Sequence, residues 1–178
     1  MLKVLDEVCE PTKGSKYSAA IDLYSAKDVV IGAGETVKVP LGVCIDFNKL
    51  LDGIDSFYPY NEGMLPKYKM DYFMKTNYLQ LEPRSSLRAK GLIAGTGVID
   101  LDYKDEIMII LHNPVKLEDA KQFIDLESGK GFSKARNSSY VIRKGDKIAQ
   151  MLLKEHKTYL MGIDTEDERV GGFGSSGN

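Results

Sequence analysis

Residues 95–111 have the sequence GTGVIDLDYKDEIMIIL. Small residues lead into an acidic centre and an apolar run follows, a pattern that predicts a β-hairpin. Asp100 and Tyr103 lie at or beside the expected turn, where rigid strands can hold their side chains over a pocket. A carboxylate in such a position can act as a base toward water. An aromatic ring close to it can form a wall against which a planar or sugar-like ligand packs. The same residues also suit an ordinary solvated turn, so the rest of the chain must separate the two interpretations.

Short apolar runs on either side of this stretch indicate further strands. Residues 2–8 alternate enough for a first strand, and residues 29–45 hold two short apolar runs separated by glycine and Pro40. Residues 140–142 and 148–153 flank a Gly-Asp pair and predict a second hairpin. Short strands punctuated by glycine and proline, with few long helical periods, predict an all-β barrel or sandwich.

Two longer segments interrupt the strand pattern and are predicted to be surface insertions. Residues 47–77 are rich in aromatic residues and show no clear period, and residues 115–140 combine a short amphipathic pattern with a Gly-, Lys- and Ser-rich stretch. A short helix is also expected next to Arg84, capped by Ser85 or Ser86. The free backbone N–H groups of its first turn can bind an anion, although capping alone also explains why serines occur at these positions.

The composition is that of one ordinary globular domain. The chain has 178 residues, of which 43% are hydrophobic and 28% are charged, and its formal net charge is −2. A charge so near zero provides no broad basic surface for nucleic acid. No apolar run approaches the roughly 20 residues that cross a bilayer, and the first residues do not resemble a signal peptide. We therefore expect a cytoplasmic protein with free cysteines and no membrane or nucleic-acid partner.

Two polar residues and one tail segment are further candidates for a site. Asp22 has apolar neighbours on both sides, and Gln150 lies within an apolar run. A polar side chain in a half-buried strand needs a partner, which is the plain alternative to a functional role. Residues 169–177 combine Arg, Phe and two Ser with glycine. Glycine backbone can wrap phosphates and Arg can fork onto their oxygens, so we expect this tail to become ordered on a nucleotide.

Five segments in a fixed order together resemble the motifs of the trimeric dUTP pyrophosphatases (dUTPases). They are residues 20–23 (AIDL), 83–87 (PRSSL), 97–103 (GVIDLDY), 143–150 (RKGDKIAQ) and 169–177 (RVGGFGSSG). Any one motif is weak, whereas five in order are specific. The two insertions resemble those of dUTPases from bacteriophages of Gram-positive bacteria, and a phage-encoded copy would act in the cytoplasm of its bacterial host.

The resemblance implies a jelly-roll β-barrel of the dUTPase type with one or two short helices and two surface insertions. Residues 1–165 would form the single barrel domain, with insertions at about 47–77 and 115–140, and residues 166–178 a flexible arm that closes an active site. Three subunits would build three active sites from motifs of different chains. The implied reaction is the Mg²⁺-assisted hydrolysis of dUTP to dUMP and pyrophosphate, which keeps uracil out of DNA and supplies dUMP for thymidylate synthesis.

The resemblance also implies roles for individual residues. Asp100 would activate the attacking water, with Gln150 and Arg84 in the same catalytic group, and Tyr103 would pack under the sugar and exclude UTP. Asp22 would meet the waters of Mg²⁺, which the triphosphate mainly holds. The expected substrate-binding residues are Ser85, Ser86, Gly97, Val98, Ile99, Tyr103, Arg169, Phe173, Gly174, Ser175 and Ser176.

Two alternatives stay open at this point. A dCTP deaminase has a similar barrel and Arg-Ser-Ser-Leu segment, although Tyr103 and the tail with Arg169 and Phe173 are not typical of one. The other alternative is a regulatory protein whose insertions bind a repressor, either without catalytic activity or in addition to it. The chain also departs from the family's usual pattern at Asp105, where glycine is common.

Overall fold

The computed structural model describes residues 1–57, 66–116 and 139–163. Most regular structure in these ranges consists of short strands. The strands are β1 (Leu2–Val4), β2 (Thr12–Lys13), β3 (Ile21–Tyr24), β4 (Val29–Ile31), β5 (Thr36–Pro40), β6 (Val43–Ile45), β7 (Asn77–Pro83), β8 (Gly97–Asp100), β9 (Met108–His112), β10 (Tyr140–Ile142) and β11 (Lys147–Glu155). The α-helices are α1 (Phe47–Phe57), α2 (Pro66–Thr76) and α3 (Ser85–Ala89), and 3₁₀ turns cover Glu7–Cys9 and Thr158–Met161. The all-β prediction is confirmed.

The largest sheet has five strands in the order β2-β3-β11-β7-β8, and β1-β6, β4-β10 and β5-β9 form separate pairs. Every pairing is antiparallel. Side chains along β7 alternate between buried and half-buried, with Leu79 and Leu81 inside and Gln80 and Glu82 on the other face. The large sheet therefore packs one face on the core and presents polar groups on the other, as antiparallel sheets commonly do.

The arms of the two predicted hairpins do not pair with each other. β8 pairs with β7 while β9 pairs with β5, and β10 pairs with β4 while β11 pairs with β3 and β7. The prediction of paired arms is wrong, although the strands exist. An apolar period and a turn signal identify a strand and its end, but the choice of neighbour depends on packing across the whole domain.

The turn between β10 and β11 has the predicted chemistry. Gly145 has a φ of +86°, a left-handed conformation that glycine adopts without a steric cost. The Asp146 N–H donates to the Arg143 carbonyl at 2.9 Å, and Asp146 Oδ2 accepts from the Arg143 N–H at 2.8 Å. This turn sends the chain from one sheet to another and starts β11.

The described part of residues 47–77 is helical, which the sequence pattern did not reveal. Asp46 caps α1, because its Oδ1 accepts from two backbone N–H groups of the first turn at 3.1 and 3.2 Å. Leu50 and Ile54, one turn apart, are 1% and 2% exposed and join the core together with Phe73 of α2. Each such burial contributes roughly 1.5–3 kcal/mol, so this segment takes part in the core and does not only cover it.

Two predicted features lie largely or wholly outside the described residues. The segment 115–140 is described only at its ends, and the arm 166–178 is not described at all. Among the described residues, no helix is long and apolar enough to cross a membrane. Cys9 and Cys44 are both free thiols, as expected.

Candidate active site

Three neighbouring strands place polar side chains in one row across the large sheet. Asp22 on β3 lies opposite Gln150 on β11, and Gln150 lies opposite Glu82 on β7. The Gln150 amide Nε2 donates to Asp22 Oδ1 at 3.3 Å. Asp22 is therefore the polar partner that Gln150 requires within its apolar strand.

The Asp22 carboxylate lies between two cations. Arg84 Nη1 is 3.4 Å from Asp22 Oδ1, and Lys147 Nζ is 3.2 Å from Asp22 Oδ2. Asp22 is only 4% exposed, and burial, the largest influence, opposes its ionisation. Hydrogen bonds from Lys147 and Gln150 and the charge of Arg84 outweigh burial and lower the pKa of Asp22. Two cations and one carboxylate leave this group, which we call the Asp22 cluster, with a net positive charge.

Both cations of the Asp22 cluster can also face an anion. The side chains of Arg84 and Lys147 are 28% and 42% exposed. Helix α3 begins beside them, with Arg84 as its N-cap in an extended conformation and no side chain capping its first turn. The predicted helix is confirmed, but the predicted capping by Ser85 or Ser86 is wrong. Both serines are exposed at a helix start, where hydroxyl and N–H groups suit phosphate oxygens.

A cavity of about 420 Å³ lies between β8 and β9. Space opens there because the two strands pair with different neighbours. Its volume falls within the range typical of small-molecule sites. The residues that line it are mostly apolar, and they are Leu81, Gly95, Thr96, Gly97, Val98, Ile99, Tyr103, Ile107, Met108, Ile109 and Ile110.

Asp100 and Tyr103 are joined in one turn at the end of β8. The Tyr103 N–H donates to the Asp100 carbonyl at 3.1 Å. The Tyr103 ring is 6% exposed, and its Oη donates to the Glu106 carbonyl at 3.4 Å. Glu106 Oε1 in turn accepts from the Gly42 N–H at 2.9 Å. The ring is thus fixed in the cavity wall, while Asp100 is exposed.

Within one chain, the structure does not bring Asp100 together with the Asp22 cluster. Gln150 lies opposite Glu82 of β7, and Asp100 lies opposite Tyr78 of the same strand. The separation of Tyr78 from Glu82 corresponds to roughly 13 Å along the strand, and β7 also stands between the two strands that carry Asp100 and Gln150. One chain therefore presents two separate groups of site residues.

The side chains of the described residues can bind a metal ion only together with a phosphate ligand that also coordinates it. These residues contain no group of three or more His, Cys, Asp or Glu side chains that could hold an ion. Asp22 is a single carboxylate already paired with Arg84 and Lys147. Mg²⁺ commonly keeps several waters and binds through one or two carboxylates plus substrate phosphates. Contact of Asp22 with such an ion through water is compatible with this arrangement.

Comparisons with known proteins find similarity to dUTPases. The dUTPase family model matches residues 68–119, which contain Arg84, Asp100 and Tyr103. The deoxyuridine 5′-triphosphate nucleotidohydrolase of Candida glabrata is 28% identical over 173 residues, covering 94% of this chain and 88% of that protein. The enzyme of the same name from Paramecium bursaria Chlorella virus 1 is 28% identical over 180 residues, covering 98% of this chain and 94% of that protein.

The chain is similar to dUTPases in both sequence and fold. Solved structures share its fold and confirm the expected jelly roll. The dUTPase of Staphylococcus bacteriophage 80alpha has a TM-score of 0.57 at 22% identity, covering 97% of this chain and 96% of that chain. A dUTPase variant of phage phi11 of S. aureus, described with a structural Mg(II) ion, has a TM-score of 0.57 at 20% identity, covering 98% of both chains. The dUTPase of Streptococcus mutans has a TM-score of 0.54 at 21% identity, covering 86% of this chain and 94% of that chain.

Two residues that the sequence pattern did not indicate take part in the polar groups. Lys147 contacts Asp22, although Lys147 and Gln150 have opposite parity along β11. A register shift between Lys147 and Ala149 changes the alternation, so both side chains reach the same carboxylate. A bulge of this kind leaves no pattern in the sequence. Glu82 is the other residue. Its spacing of two residues from Gln80, which places both side chains on one face of β7, was the signal that the sequence offered.

The remaining predicted site residues divide into two sets. Gly97, Val98 and Ile99, which the resemblance assigns to substrate binding, line the cavity. The predicted tail residues Arg169, Phe173, Gly174, Ser175 and Ser176 lie outside the described residues.

Proposed function

We propose that the chain hydrolyses dUTP to dUMP and pyrophosphate, with the nucleoside in the cavity and the phosphates on the Asp22 cluster and the start of α3. The observation that carries this proposal is that the family match spans both sequence segments concerned. Residues 83–87 contribute Arg84 and the first turn of α3, and residues 97–103 contribute the cavity wall and Asp100.

The phosphate half of the site binds by charge and by directed donors. Arg84 and Lys147 supply positive charge, while Ser85 and Ser86 supply hydroxyl and backbone N–H groups. Gln150 is tied to Asp22 and holds the attacking water or a phosphate oxygen with its amide. Asp22 keeps the two cations in place, since its ionised carboxylate contacts both.

The nucleoside half of the site binds by shape. Gly97, Val98 and Ile99 present backbone groups to the edge of the uracil, and Tyr103 packs under the deoxyribose. The buried Tyr103 ring leaves no room for a 2′-hydroxyl, which accounts for exclusion of UTP. A cavity formed by the backbone of two strands also leaves little space for the methyl group of thymine.

The chemical step is the attack of a water oxygen on the α-phosphorus. Asp100 accepts a proton from this water as the new P–O bond forms. The bond between the α-phosphorus and the oxygen that bridges to the β-phosphorus breaks, and pyrophosphate leaves with that electron pair. Arg84 stabilises the charge that develops on the phosphate oxygens. Mg²⁺ chelated by the triphosphate supplies further neutralisation of that charge when it is bound.

The active sites are shared between the subunits of a homotrimer. Support comes from the separation of Asp100 from the Asp22 cluster in one chain, because both must reach the same α-phosphate. In this arrangement the cavity and Asp100 of one subunit meet the phosphate-binding residues of its neighbour. The arm of residues 166–178 closes over the substrate, with Phe173 on the uracil and Arg169, Gly174, Ser175 and Ser176 near the γ-phosphate.

Pyrophosphate release in the presence of Mg²⁺ tests this proposal, with dUTP, UTP, dTTP and dCTP compared at equal concentration. We expect dUTP to be strongly preferred over the other three nucleotides. Equal turnover of dUTP and UTP would contradict the role given to Tyr103. Ammonia release from dCTP would instead identify a deaminase.

A further inference from the structure

The carboxylate of Glu82 joins three elements of the molecule. Its Oε1 accepts from Gln80 Nε2 at 2.7 Å and from Thr96 Oγ1 at 2.8 Å. Its Oε2 accepts from Arg88 Nη2 at 3.0 Å. Arg88 belongs to α3, Gln80 to β7, and Thr96 to the segment that leads into β8. Both oxygens of a half-buried side chain are thus engaged.

These contacts reach both halves of the proposed site. Thr96 and Gly97 line the cavity at the point where β8 begins. The helix that carries Arg88 starts at Ser85, next to Arg84 of the Asp22 cluster. Tyr78 extends the network along β7, because its Oη donates to Gln80 Oε1 at 3.3 Å. The network therefore runs along β7 from the position opposite Asp100 to the position opposite Gln150.

The carboxylate of Glu82 is ionised and well satisfied. Hydrogen bonds from Gln80 and Thr96, followed by the charge and hydrogen bond of Arg88, lower the pKa of Glu82 against the opposing effect of burial. Hydrogen bonds to an ionised acceptor are shorter and stronger than those between neutral groups. Thr96 is therefore held firmly, although the segment around it lies between regular elements.

We propose that Glu82 is a positioning residue that fixes the Thr96–Gly97 edge of the cavity through the Thr96 hydroxyl and thereby sets discrimination between dUTP and dTTP. The inference rests on the proposed function, since it assumes that this edge lies against the uracil. A methyl group on the base needs only a small outward movement of the cavity wall to fit. Loss of the Glu82–Thr96 bond permits that movement while the catalytic groups stay unchanged.

The test compares Thr96→Val, Thr96→Ser and Glu82→Leu in the full chain, by KM and kcat for dUTP and dTTP and by Tm. We expect Thr96→Val and Glu82→Leu to lower the ratio of kcat/KM for dUTP over dTTP about five- to tenfold, mainly through KM, because the pocket alone provides this selectivity. Thr96→Ser keeps the hydroxyl and should keep the wild-type ratio. The double variant Glu82→Leu/Thr96→Val should have the same ratio as Glu82→Leu alone, because Glu82→Leu has already lost the Glu82–Thr96 bond.

A matched control is Asp71→Asn, since Asp71 also carries an ion-paired carboxylate, 3.3 Å from Lys75 on α2, and lies outside the site. It should leave the ratio and KM unchanged. An unchanged ratio in Thr96→Val would overturn the inference, as would a lower Tm with the ratio intact, which indicates a purely structural role. Wild-type protein that does not hydrolyse dUTP would instead reject the proposed function, so the two failures are distinguishable.

Discussion

The Asp22 cluster and the cavity between β8 and β9 are held in place by different forces. In the cluster, ion pairs and hydrogen bonds between side chains set the geometry, with Asp22 contacting Arg84, Lys147 and Gln150. In the cavity, the backbone of two strands sets the geometry, and the lining is mostly apolar. Changes in the cluster should therefore act through charge, whereas changes in the cavity should act through shape and through Asp100, the proposed general base beside it.

The largest expected effect is that of Asp100→Asn. Removing the proposed general base should lower kcat about 10²- to 10⁴-fold, measured as pyrophosphate release from dUTP. Because Asp100 is exposed, Tm should remain close to that of the wild type. Asp105→Asn changes another exposed acid in the same loop and serves as the control with normal kcat. Full activity of Asp100→Asn would show that the carboxylate beside the cavity is not the base.

Asp22→Asn should have an intermediate effect, on stability and its pH dependence. It leaves two cations without their carboxylate, and we expect a loss of about 1–3 kcal/mol in the free energy of unfolding at pH 7. Because folding lowers the pKa of Asp22 below its ordinary value of 3.8, the wild type has this contribution above that pH and loses it as the pH falls through the folded pKa. The variant should therefore lose less stability than the wild type on acidification.

Urea unfolding at several pH values and one protein concentration measures this difference. Asp28→Asn is the matched control, because Asp28 is paired with Arg143 at 3.1 Å but is largely exposed. Exposed ion pairs contribute little, so this control should show no clear change. If the free energies of unfolding of Asp22→Asn and wild type decrease equally as the pH falls, this would contradict the view that ion pairs hold the cluster.

Gly97→Ala should have the smallest effect and tests the cavity by shape alone. A Cβ at Gly97 would lie 3.3 Å from the Leu81 Cβ, so β7 and β8 must move apart slightly. We expect a loss of about 1 kcal/mol in stability and a raised KM for dUTP with kcat nearly unchanged. Gly53→Ala is the control, because no atom lies within 4 Å of that Cβ position in α1 and alanine favours a helix. A normal KM in Gly97→Ala would show that the cavity tolerates this movement.

The sequence predicted most of the strands, but not which strands pair with each other. The patterns around Asp100, Arg84 and Gln150 correctly predicted a turn, a short helix and a strand, because such local signals act over a few positions. The pairing of β8 with β7, and not with β9, depends on distant strands, and the cavity lies between β8 and β9, which do not pair. Local patterns therefore predict which residues line a cavity better than whether a cavity forms.

The helices of residues 47–77 show a second limit. Asp46 is a typical N-cap, and Leu50 and Ile54 have helical spacing. Gly53 and the dense aromatic residues that follow obscure this pattern in the sequence. Packing of Phe73 with these residues in the core stabilises helices that their own propensity predicts only weakly.

The central claim, that Asp100 and the Asp22 cluster of one chain serve different active sites, is tested most directly by subunit mixing. Asp100→Asn and Arg84→Gln chains should each be nearly inactive alone. Refolded together in equal amounts, they should regain roughly a quarter of wild-type kcat, because each shared site draws the two residues from independently chosen chains. Mixed trimers that remain as inactive as the separate variants would contradict the claim and place both residues in a site within one chain.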